Sequence, residues 1–202
     1  MTNKTLLQCG AVAGLLYVVV GFAQTVTRPG FDLSKHAWSL LTNGDLGWIQ
    51  IANFILTGLL VLAGALGLRR VTSARWAPIL IGIFGVSMIG AGIFRADPAL
   101  GFPAGTPEVT PISWHGMLHF MIGGVGFLCL IFACFILGQR FARAGRGDLA
   151  WFSRLAGVAF LAGFAGVASG SHGPTTLAFV AAVVIVFAWL STVFVHFART
   201  AH

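Results

Sequence analysis

Charge is what this sequence has least of. Seventeen of its 202 side chains are Asp, Glu, Lys or Arg, and only five of those are acidic. A soluble domain carries roughly a quarter of its residues as charges, so this chain cannot cover a water-exposed globule of its size. Cysteine is scarce as well. Cys9, Cys129 and Cys134 fall inside or at the start of apolar runs and form no CxxC pair, so they read as small packing residues rather than as a disulfide framework or a thiolate metal centre. Long basic runs are missing too. The net charge is +7, yet the cations stand one to three at a time between apolar stretches, which is the pattern of membrane orientation and not of nucleic-acid binding. No Asp, Glu, Lys or Arg falls near the middle of an apolar run, which argues against a proton-coupled transporter.

What the sequence does have is apolar length. Of its residues 57% are hydrophobic, and the mean hydropathy is +0.92. A helix needs about 20 apolar residues to cross the hydrocarbon of a bilayer, and the runs 5–27, 47–68, 76–94, 112–138, 151–170 and 174–197 each meet that length. The expected fold is all-α: an integral membrane bundle of six transmembrane helices in one domain, 1–202. The first run is too long for the core of a signal peptide and lacks a small-x-small cleavage site, so it reads as helix 1. Gly10 and Gly14, and later Ala162, Gly166 and Gly170, recur every fourth residue and predict faces for close helix packing.

Alternating the six helices places nine Lys and Arg on one side and Arg28, Lys35 and Arg95 on the other. Cytoplasmic loops are enriched in Lys and Arg, so both termini are expected in the cytoplasm. Two loops, Arg28–Gly47 and Arg95–Pro111, are then outward. They hold four of the five acidic side chains and five of the seven prolines, and are expected to form an ordered cap over the helix ends. Residues 31–41 mix apolar Phe31, Leu33 and Trp38 with Asp32, Lys35, His36 and Ser39, the composition of a short amphipathic segment lying at the interface.

The second loop leads into His115 and His119, four residues apart and therefore on one face of a helix, where two imidazoles can share a metal ion. His36 and His172 lie at the same membrane level and supply a third ligand, with zinc the expected metal and haem the weaker alternative. Asp97 or Asp32 would take the proton of a metal-bound water. Gln50 and Asn53, on a polar stripe of helix 2 with Thr57, would hold the imidazole rings by hydrogen bonds, and Ser39 and Arg95 complete the polar set. Arg95 is expected to pair with Asp97, Glu108 or Asp32. Against this stands a plainer reading, in which interfacial His, Trp and Asp anchor helix ends and bond the loop backbone. The first reading gives a metal-dependent hydrolase acting on a lipid or amphiphile. The second gives a non-catalytic membrane binding protein for haem, metal or lipid, or an accessory subunit of a larger complex. Membrane lipids are the expected partners in either case.

Two blocks, RPGFDLSKHAWSLLTNGDLGWIQIANF from Arg28 and DPALGFPAGTP with SWHGMLH from Asp97, resemble the bacterial membrane proteins of domain-of-unknown-function family 998. The resemblance extends over nearly the whole chain. It implies the six-helix fold and a multi-pass place in the bacterial cytoplasmic membrane, and no activity. An analogy also exists to the alkaline-ceramidase-like membrane hydrolases, which use Ser, Asp and several His. The types here are Ser39, Asp97, His36 and His115-x-x-x-His119, but the chain order and helix number differ from that superfamily.

Overall fold

Each apolar run becomes a helix because nothing inside it halts one, and the stops fall where the turn residues stand. The computed structural model describes residues 1–170 and 173–201, so His172, one of the expected ligands, lies outside the described residues. Among the described residues there are six long helices and no strand: α1 (Asn3–Thr27), α2 (Gly47–Val71), α3 (Trp76–Ile93), α4 (Trp114–Arg143), α5 (Gly147–Ala168) and α6 (Gly173–Thr200). All six are long and apolar enough to cross a membrane.

The ends have local causes. Thr2 caps α1 by accepting from the Thr5 N–H, and Pro29-Gly30, with Gly30 at φ +78°, follows its last turn. Ser113 caps α4 through the Gly116 N–H. That helix runs past residue 138 to Arg143, because glutamine and arginine are good helix formers and Arg140 and Arg143 lie beside its C-terminal carbonyls. It stops at Gly145, which adopts φ +72°.

The helices form a ring in chain order. Each packs on the next, α6 closes on α1, and α2 and α6 also touch across it. The closest approaches are made by glycine: a Cβ on Gly64 would lie 2.7 Å from the Gly10 Cα, and one on Gly58 would lie 2.6 Å from the Gly85 carbonyl oxygen. Lipid-facing surfaces stay apolar, as Leu15, Val19, Leu56, Val86, Phe132 and Leu155 are all exposed. Such outward apolar faces suit a bilayer and not water.

The two ends of the ring differ. At the end bearing the termini, Trp189, Leu68, Phe194, Leu137 and Leu190 fill the interior, and the Trp189 indole donates to the Ser153 hydroxyl at 2.8 Å. The opposite end is closed by the α1–α2 and α3–α4 connections. Residues 31–41 do not lie flat at an interface. Trp38, 3% exposed, and Leu41, fully buried, sit in a short 3₁₀ helix, Trp38–Thr42, tucked into the mouth of the ring. Of the apolar side chains in this stretch, Trp38, Leu40 and Leu41 are buried in the bundle's own end, while Phe31 and Leu33 pack half-buried against it.

Candidate functional site: a cavity beneath the loops

The cap is assembled around buried polar groups that bond backbone. Arg28, 7% exposed, donates to the carbonyls of Leu41, at 3.2 Å, and Asn43, and its guanidinium lies over the Phe102 ring. Burial pulls this guanidinium below its ordinary pKa and the Asp45 carboxylate raises it again. The Asn43 amide donates to Ala96 O at 3.1 Å, tying the two connections together.

His36 belongs to the same cap. Its Nδ1 accepts from the Asp32 N–H at 2.9 Å, so its proton is on Nε2, which donates to Leu100 O at 2.9 Å. Both ring nitrogens are occupied. Asp32 is exposed, and its carboxylate closes a turn by accepting from the Ser34 N–H and hydroxyl, which hold its pKa below the ordinary value. Asp97 accepts from the Ser113 N–H at 2.7 Å and from the Ser113 hydroxyl, and so clamps the start of α4. The close approach needs Gly116, where a Cβ would collide with that carboxylate.

His115 and His119 share a helix but not an environment. His115 is exposed and stacks on Trp114, ring centroids 3.6 Å apart. His119, 7% exposed, turns inward, and its Nδ1 lies 2.9 Å from Phe94 O and 3.2 Å from Ala91 O. Those carbonyls end α3, where no intrahelical donor remains. Among the described residues, no three His, Cys, Asp or Glu side chains stand close enough together to hold a metal ion. Arg95 is exposed and makes no ion pair with Asp97, Glu108 or Asp32. The one ion pair among the described residues joins Arg146 to Asp148 at the far end, and Asp97 is already bonded to Ser113.

Gln50 and Asn53 lie on the α1–α2 seam. Gln24 donates to Gln50 Oε1 at 2.7 Å, Asn53 donates to the same oxygen and to Tyr17 O, and Thr57 donates to Asn53. This chain is interhelical glue and is bonded to none of His36, His115 and His119. Ser39 lines the cavity described next.

Beneath the cap, in the loop-side half of the ring, is a cavity of about 920 Å³. Its walls are aromatic and aliphatic: Tyr17 and Phe54, Met88 and Ala91, Phe127, Phe160 and Phe164, and Phe179, Val183 and Phe187. Ligand sites span roughly 300–1,000 Å³ and combine apolar walls with a few polar groups. Here the polar groups sit at the mouth, on Lys35, Ser39, Asp97, Glu108 and Thr110, with His119 and Ser87 below them. Among the described residues, His119 is the histidine that lines it.

The α4–α5 wall opens progressively toward the loops. At the far end a Cβ on Gly138 would meet the Ser153 Cβ at 3.2 Å, and one on Gly157 the Cys134 Cβ at 3.0 Å. Nearer the loops a Cβ on Gly124 would meet only Phe164, at 3.7 Å, and one on Gly123 would meet nothing within 4 Å. Phe120, which lines the cavity, is 62% exposed on the outer face beside this gap. Sequence reasoning missed the cavity. Its one trace in the sequence is the glycine-rich stretch Gly123-Gly124 set among aromatic residues.

Six apolar spans in a closed ring define a multi-pass membrane protein with an internal cavity. The chain belongs to the family described as "Protein of unknown function (DUF998)", whose profile matches residues 11–196. No curated protein and no solved structure matches it.

Proposed function

We propose that this protein is a non-catalytic binding protein of the cytoplasmic membrane. It takes a single-chain amphiphile from the outward leaflet into the cavity beneath its loops. The observation that carries this reading is the cavity itself, about 920 Å³ with apolar walls and a polar mouth. A lipid tail is the ligand such walls suit, since they match its apolar surface while the polar mouth above them meets a headgroup. Entry would be from the membrane, past Gly123 and Gly124, which line the cavity and leave room beside α4. Binding is favoured over metal-dependent hydrolysis because both ring nitrogens of His36 are taken up by the cap and no three ligating side chains converge among the described residues.

The test is photolabelling in bilayer nanodiscs with a dodecyl methyl ether that carries a diazirine near the end of its chain. Saturable adducts are expected on Phe127, Phe160 or Phe179. Gly124→Phe, which has room for its Cβ, should remove them while the melting temperature stays near wild type. Adducts spread over the outer helix faces without saturation would overturn the proposal.

A further inference from the structure

We infer that the cavity selects a neutral lipid alcohol, whose hydroxyl donates to Nε2 of His119; the inference rests on the binding function proposed above. Nδ1 of His119 faces two carbonyl oxygens, at 2.9 and 3.2 Å, so it carries the ring proton and donates. No carboxylate is bonded to the ring, and a charge at this depth without a partner is unfavourable. The imidazole is therefore neutral, and Nε2 is a bare acceptor. It has no hydrogen-bond partner among the described residues. Among the described residues the sealed side-chain polar atoms that lack one are Gln24 Oε1, Gln50 Nε2 and Ser191 Oγ; His119 Nε2 is not among them and so is open, and the space that His119 lines is the cavity.

The surroundings discriminate by charge. Among the described residues, the Asp, Glu, Lys and Arg side chains lining the cavity are Lys35, Asp97 and Glu108, all at the mouth and together net negative, and no Lys or Arg lines the walls below. A carboxylate or phosphate seated beside His119 would meet an acceptor and no cation. An ammonium would be stripped of water about 7.5 Å below the start of α4, five residues down the helix. A hydroxyl has the one donor the site lacks and loses little on leaving the interface. From His119 to Phe127 the wall continues for about 12 Å of helix, and this is the space for the alkyl tail.

The probe is the diazirine-bearing dodecyl methyl ether used above, displaced by unlabelled competitors. Dodecanol should compete about tenfold better than unlabelled dodecyl methyl ether, which lacks the donor, and better than dodecanoate or dodecylamine. His119→Asn keeps a donor where Nδ1 stood and removes the Nε2 acceptor. In that variant the advantage of dodecanol over its ether should vanish while labelling persists. Equal competition by alcohol and ether in the wild type would overturn the hydroxyl assignment and leave the binding function standing. Stronger competition by dodecanoate or dodecylamine would do the same. Absence of cavity labelling in the wild type would remove both. The wild-type comparison decides the matter even where the variant does not fold.

Discussion

An imidazole or carboxylate at a helix end can serve a metal or a backbone equally well, and the partners within about 3 Å decide which. His36 bridges the Asp32 N–H and the Leu100 carbonyl, His119 satisfies the open carbonyls of α3, and Asp97 holds the Ser113 N–H. The HxxxH spacing correctly puts two rings on one side of α4. The offset of about 40° between positions four apart, with one turn of depth, is nevertheless enough to leave His115 exposed beside Trp114 and to bury His119. The role of Asp97 is open to direct test. Asp97→Ala removes two hydrogen bonds to the cap of α4 and should destabilise the protein by about 2 kcal/mol, read as a lower melting temperature in detergent. Gly116→Ala, which drives a methyl group into the same carboxylate, should act in the same direction. Melting at the wild-type temperature in both variants would detach Asp97 from that task.

The helices owe their existence to composition and their packing to glycine. In a bilayer, lipid tails are as apolar as side chains, so association depends on close contact between backbones. Gly58 stands where α2 meets Gly85 of α3, and any side chain there strikes the carbonyl oxygen. Gly58→Leu should therefore destabilise by about 3 kcal/mol, the upper end for overpacking, with aggregation on heating in detergent as a second sign. Gly123→Leu is the control on α4. Nothing lies within 4 Å of its Cβ, so its melting temperature should stay within a degree or two of wild type, consistent with a shift of about 0.5 kcal/mol or less. A large loss in the control and none in Gly58→Leu would reverse the assignment of seam and opening.

The molecule as a whole is a ring that is filled at one end and hollow at the other, and its cations predict which end faces outward. Arg140 reaches Ser73, which places the α2–α3 and α4–α5 connections at one end, while Asn43 and Ala96 join the other two connections at the opposite end. With nine of the twelve Lys and Arg at the first end, the hollow end should face outward. A cysteine placed at Gly105 should react with an impermeant maleimide in intact cells, and a reporter fused after His202 should be active only in the cytoplasm. Labelling that requires permeabilised cells would invert the protein. Composition and spacing alone determine the membrane, the six spans, the turn positions and the charge asymmetry, because each depends on neighbours within about one helix length. The cavity and the occupation of His36, His119 and Asp97 depend on which side chains the ring brings opposite one another. Phe127 in a wall and Phe194 in a filled core are the same residue on the same kind of helix, and only the distance to the facing helix separates them.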